Sequence, residues 1–348
     1  MRSLVVLVLG GAVLAGCFVD VGGGGPDPRR PQDLDACPDG VPHLLVGLQS
    51  TSSIFDDDPA EQVVLRFTPD FDGCRGLVVP SSEYGEIYSV GGLPDGSDLV
   101  GFDGNRFSAL PGAVVRFRGQ DEVDRVQDPS LLPIAARPIT FGGAPAVAIL
   151  WGHQGGSGVV NDRLDVVARE QLTQVLGSWT VPRDLLAIGP ALTDGDRLSG
   201  LVQWDGLQGY RIDAGAETLS TTGELQVPLP PAGTTHAMDV HGGVAQIATH
   251  DGVSFWTSGA SPAFVGPRYC RHATRVGGAL PMENADYVDV AIDLATPSEA
   301  ALALVYGSLD VASTSTHVFR LQRRGECERV YTVPEPYRGQ AIAWSGRP

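Results

Sequence analysis

The chain has 348 residues, with 41 acidic side chains against 24 basic ones and a net charge of −17. A surface this acidic repels nucleic acid and anionic lipid headgroups, so nucleic acid is not an expected partner. All the basic residues are arginine, and 45 glycines and 26 prolines suit a fold with many tight turns.

The chain opens with Met1-Arg2-Ser3 and an uncharged run from Leu4 to Gly16. One positive residue, a short apolar stretch and small residues before a cut site make the pattern of an export signal. The run is shorter than the roughly 20 apolar residues of a spanning helix. It ends in Leu14-Ala15-Gly16-Cys17. This segment resembles the bacterial lipobox, in which the cysteine is lipidated and becomes the new N-terminus. The resemblance implies a signal peptide over 1–16, lipid on Cys17 and a home in the cell envelope. Phe18, where an aspartate would mark retention, favours the outer membrane by the same resemblance. Two or more acyl chains hold a protein stably to a bilayer, at about 0.8 kcal/mol per buried CH₂.

Residues 17–42 carry the lipid site and a Gly/Pro-rich tether, including Gly22 to Gly25 and Pro26-Asp27-Pro28. A flexible chain of this kind reaches roughly 20–25 Å. Beyond Cys17 the cysteines are Cys37, Cys74, Cys270 and Cys327, an even number that fits an oxidising compartment. Local pairing, Cys37 with Cys74 and Cys270 with Cys327, is one solution; Cys37 with Cys327 is another. No pair is spaced as Cys-x-x-Cys, so no zinc ribbon or redox motif is expected.

Residues 43–348 read as one all-β domain. Apolar runs of 4–8 residues, such as His43 to Leu48, Gln62 to Phe67 and Ala146 to Trp151, alternate with Gly, Asp, Pro and Ser. Strand pairs ending near a proline recur at Val63 to Pro80, Val114 to Pro129, Val166 to Pro182, Gly209 to Pro228, Val253 to Pro267 and Val318 to Pro334. Further apolar runs precede them, as at Glu86 to Val90 and Asp98 to Phe102. Four strands per period of about 40–50 residues is the size of a propeller blade. The expectation is a six-bladed β-propeller, with seven blades or paired β-sandwich domains as alternatives. The first unit lacks an inner strand, and the last strand, Gln340 to Trp344, has no unit of its own. Pairing the two closes the ring and leaves no open edge. The repeats resemble propellers in general and carry the signature of no particular family.

Candidate binding residues are sought on the loops that join outer to inner strands and second to third strands. Asp56, Asp57 and Asp58 form the densest acidic cluster; calcium is the ion such oxygens would suit, although the EF-hand order is absent. Tyr84 and Trp204 are candidate aromatic anchors. His153 lies beside Gly155-Gly156-Ser157-Gly158, which fails the nucleophile-elbow pattern because residue 159 is valine. No catalytic residue, metal site or cofactor is assigned. The expectation is a monomeric lipoprotein whose propeller binds an envelope protein or a glycan. A calcium-dependent hydrolase or lyase and a structural spacer are the alternatives.

Overall fold

The computed structural model describes residues 34–35, 37, 41–50, 61–104, 110–155, 158–181, 185–190, 198–202, 209–211, 220–221, 235–241, 244–249, 252–257, 263–265, 286–310, 313–333 and 337–345. Residues 1–33 with the expected export signal and Cys17, and Asp56 to Asp58, Trp204 and Cys270, lie outside these residues.

Strands dominate. β1 (His43–Ser50), β2 (Glu61–Phe67) and β3 (Gly73–Pro80) lead into a single helical turn, α1 (Ser81–Tyr84). The next two groups are β4 (Ile87–Gly92), β5 (Asp98–Phe102), β6 (Gly112–Arg118) and β7 (Asp121–Asp128), then β8 (Leu132–Phe141), β9 (Ala144–Gly155), β10 (Gly158–Ala168) and β11 (Gln171–Thr180). They are followed by β12 (Leu185–Pro190), β13 (Leu198–Val202), β14 (Gly209–Arg211) and β15 (Ser220–Thr221). The chain continues with β16 (Thr235–His241), β17 (Val244–Thr249), β18 (Gly252–Thr257) and β19 (Ala263–Val265). It ends with β20 (Asp286–Ile292), β21 (Ala300–Asp310), β22 (Ser313–Gln322), β23 (Cys327–Thr332) and β24 (Tyr337–Ser345).

These strands form six four-stranded antiparallel sheets, five of them built from consecutive strands and one ordered β24-β1-β2-β3. The inner strands pack side by side in the order β4, β8, β12, β16, β20 and β24, and β24 returns to β4. The fold is a β-propeller. The described residues form neither a seventh sheet nor a pair of sandwiches. Five sheets are full blades, with third strands of 6 to 11 residues. The remaining sheet is reduced: β14 has three residues and β15 two. The expectation of six or seven blades is corrected: five full blades form, with one reduced sheet beside them.

The ring closes as its end strands suggest. β24 pairs antiparallel with β1, with Val46 opposite Ile342 and Leu44 opposite Trp344. Gln340 is the extra residue of a bulge there, since Gly47 faces Ala341 and Leu48 faces Gly339. At the same seam Gly92 of β4 approaches β24 so closely that a Cβ would lie 2.0 Å from the Ser345 Cα. Only glycine fits that contact.

A blade has a neighbour on both faces, so its second and third strands are buried on both faces rather than on alternate residues. Residues 43–48 of β1, 98–102 of β5 and 112–117 of β6 are all buried. The core lies between blades. Leu45, Val64, Leu77 and Val79 of the first blade pack on Ile87, Val100, Phe102 and Phe117 of the second. Outer strands such as β7 and β23 are mostly exposed and carry charged residues, which protects their unpaired edges.

Candidate functional site

In this ring the second-to-third hairpins and the outer-to-inner connections lie at one end. Tyr84 sits in the β3–β4 connection and His153 near the end of β9, both at that end. Asp56 to Asp58 belong to the β1–β2 connection and Trp204 to the β13–β14 connection, outside the described residues.

One cluster of titratable groups at this end spans the second and third blades. β9 and β10 pair with Asn161 opposite Gly152 and Arg163 opposite Trp151, which leaves Asp162 as the extra residue of a bulge. A bulge re-aims the side chain it carries. Asp162 Oδ2 meets His153 Nδ1, and both side chains are partly exposed. Engagement of Nδ1 leaves Nε2 as the nitrogen available to a ligand.

The next residue anchors this pair to its surroundings. Arg163 donates to Asp128 Oδ2 at 2.9 Å and to Asp165 Oδ2 at 3.0 Å. Its guanidinium lies 5.7 Å from the centre of the buried Trp151 ring. Asp165 Oδ1 accepts from Ser178 Oγ at 2.6 Å, and Asp128 Oδ1 accepts from the backbone and hydroxyl of Ser130 and the backbone of Leu131. Burial works to raise the Asp128 carboxyl, but the Ser130 hydrogen bonds and Arg163 outweigh it and hold it below the ordinary range. The arrangement sets one guanidinium between two carboxylates beside a partly exposed imidazole.

Tyr84 is committed elsewhere. Its ring packs against Phe102 and Phe117, its hydroxyl donates to Glu122 Oε2 at 2.9 Å, and Arg125 lies over its face. Burial first, then Glu122, pushes its hydroxyl up to about 12. Its side-chain contacts are to β5, β6 and β7 of the second blade.

The inner strands carry a second set of charges. Their inward edges have backbone groups with no ladder partner, which must be satisfied some other way. Asp239 of β16 accepts the Ile292 N–H of β20 at 2.8 Å, and Asp289 of β20 accepts the Ile342 N–H of β24 at 2.8 Å. Arg137 of β8 donates to the Val90 carbonyl of β4 at 2.8 Å. These side chains tie the fifth sheet to the sixth, the sixth to the first and the third to the second. Burial raises the Asp289 carboxyl to about 6, against the lowering effects of Arg137 and the two backbone N–H groups it accepts from.

Cys37 and Cys74 form a disulfide, which rules out Cys37 with Cys327. Cys327 is itself disulfide-bonded, and its partner lies outside the described residues. His43 stands beside the first bridge: its ring nitrogen and the two sulfurs lie within 4.8 Å of one another.

No family model matches the chain. No curated protein matches it either. Solved structures do resemble it. A protein of unknown function from Bacteroides caccae aligns with a TM-score of 0.52 at 12% identity, over 88% of this chain and 99% of that one. A protein from Lactobacillus plantarum aligns with a TM-score of 0.47 at 9% identity, over 86% and 99%. One provisionally described as a gluconolactonase aligns with a TM-score of 0.44 at 13% identity, over 90% and 98%. At these identities the likeness concerns the fold alone.

Sequence reasoning singles out His153 but gives it no acid partner, and Asp162 is that partner. Only the bulge brings the two together, and an irregularity of one residue leaves no periodic signal.

Proposed function

We propose that this chain is a lipoprotein of the cell envelope, cleaved before Cys17 and held by lipid on that residue at the outer membrane. Its propeller binds an envelope protein or a surface glycan at the end of the ring that carries His153. The observation that carries this reading is the use made of the inner-strand carboxylates. Asp239 and Asp289 accept backbone N–H groups of the next blade. Acids spent in this way hold the ring together and are not arranged as an open set of oxygen ligands for calcium. The Cys37–Cys74 bridge supports the anchoring half of the reading, because it fixes the end of the tether to the first blade.

The His153–Asp162 pair favours a second reading, hydrolysis, since a carboxylate-oriented imidazole is the arrangement of a general base. One experiment addresses both. The lipidated protein is crosslinked in its native envelope, with Cys17→Ala as the export and anchoring control. A reproducible protein or glycan adduct that disappears when segments 50–61 and 152–162 are replaced supports binding. Absence of any adduct above the control overturns it and leaves hydrolysis to be assayed with His153→Ala.

A further inference from the structure

The region around the Cys37–Cys74 bridge holds more than a disulfide. His43, the first residue of β1, is 8% exposed and Cys74 is 5% exposed. The His43 Nε2 is buried and has no hydrogen-bond partner. Buried polar atoms without partners are rare in folded proteins, and each asks for a physical reason. The disulfide consumes both sulfurs and does nothing for the imidazole. A ligand held by the imidazole together with the neighbouring sulfurs would supply the reason.

We infer that reduction of the Cys37–Cys74 bridge turns these two sulfurs and His43 into a three-ligand site for zinc(II). Zinc takes thiolate sulfur at about 2.3 Å and imidazole nitrogen at about 2.0–2.1 Å, so its ligand atoms lie within about 4 Å of one another. The two sulfurs are bonded to each other here and must part on reduction to reach that spacing, while a ring nitrogen of His43 lies within 4.8 Å of both. Two thiolates and one imidazole form a soft donor set that suits zinc and excludes calcium and magnesium. Three protein ligands leave the fourth tetrahedral position to water.

The chemistry balances with a dithiol as the reductant. The dithiol gives two electrons and two protons to the S–S bond, becomes a disulfide itself, and leaves two cysteine thiols. Zinc then displaces both thiol protons into solvent as the two Zn–S bonds form. Oxidation reverses the sequence and expels the metal. The site sits where the tether meets the ring-closing sheet, since His43 faces Ser345 of β24 in the ladder. Either form therefore clamps the same junction, once by a covalent bond and once by a metal.

The test uses the full-length protein in detergent, reduced with a dithiol that is then removed without air, and zinc(II) alone as the probe against a chromophoric chelator. The reduced wild type is expected to take up zinc at this site and to unfold at a higher temperature when it is bound. His43→Ala is expected to bind about tenfold or more weakly. Cys37→Ser/Cys74→Ser, which keeps the other cysteines, is expected to lose the site. Cobalt(II) in place of zinc should give thiolate-to-cobalt charge-transfer absorption in the reduced wild type only. Circular dichroism confirms that each variant is folded. Zinc affinity of the reduced wild type equal to that of the double serine variant overturns the inference, as does a folded, reduced wild type without the cobalt band.

Discussion

Asp289 accepts two backbone hydrogen bonds, from Ile342 of the next inner strand at 2.8 Å and from its own neighbour Val290 at 2.8 Å. Asp239 does the equivalent for Ile292 one blade earlier. The inner strand of each blade carries backbone donors with no ladder partner on its inward edge. These acids are the fold's answer. Asp289→Ala leaves the Ile342 N–H unsatisfied at the closing seam and should cost about 1–3 kcal/mol. Urea denaturation measures it. An unchanged midpoint would show that water satisfies that edge equally well.

Asp289 and His317 should bend the pH–stability profile in opposite directions. Burial raises Asp289 from 3.8 to about 6, so folding takes up a proton between those values. Its contribution rises as the pH falls through 6 and is complete below 3.8, to the extent of about 3 kcal/mol. Burial, then Arg329, lowers His317 from 6.5 to about 4. Its contribution is present above 6.5 and is lost as the pH falls through 4. Asp289→Asn should therefore lose stability more steeply than wild type on acidification from pH 7 to pH 4, and His317→Asn less steeply. Denaturation across that range checks both signs.

Arg66 of β2 and Asp98 of β5 form a buried ion pair between the first two blades, with Nε to Oδ2 at 3.0 Å. Burial raises the Asp98 carboxyl and Arg66 lowers it. Arg66→Met strands the acid and should destabilise by about 3–5 kcal/mol at neutral pH. The loss should shrink on acidification as Asp98 takes a proton. Arg66→Met/Asp98→Leu should recover most of the stability, because two apolar groups carry no desolvation cost. A double-mutant cycle gives the coupling.

The Cys37–Cys74 bridge closes a loop of 37 residues in sequence separation. Loss of the bridge in Cys37→Ser/Cys74→Ser should destabilise the oxidised protein by up to about 4 kcal/mol. Non-reducing peptide mapping should find the Cys37–Cys74 peptide and a second bridge joining Cys327 to Cys270.

The fold was legible in the sequence because its signal is a period. Proline-ended strand pairs at Val63 to Pro80, Val114 to Pro129 and Val318 to Pro334 are the third and fourth strands of their sheets, and Gln340 to Trp344 falls within β24. The reduced sheet was placed, since β14 and β15 fall within the Gly209 to Pro228 pair, but the shortness of these strands was not legible. The candidate site was half legible. His153 stood out beside a Gly-rich turn, but its pairing with Asp162 depends on a bulge that shifts the register by one residue. Tyr84 looked like an anchor because aromatic residues near a loop read alike whether they face solvent or, as here, Phe102 and Phe117.

The central claim is that the loop end around His153 meets a partner in the envelope. A photo-crosslinking residue at position 153 of the lipidated protein, in intact cells, tests it most directly. The control position is 324, in the β22–β23 turn at the opposite end of the ring, where Arg324 is exposed. The account predicts a discrete adduct from position 153, absent from position 324 and lost with Cys17→Ala. Equal labelling from both positions, or none from either, would contradict it.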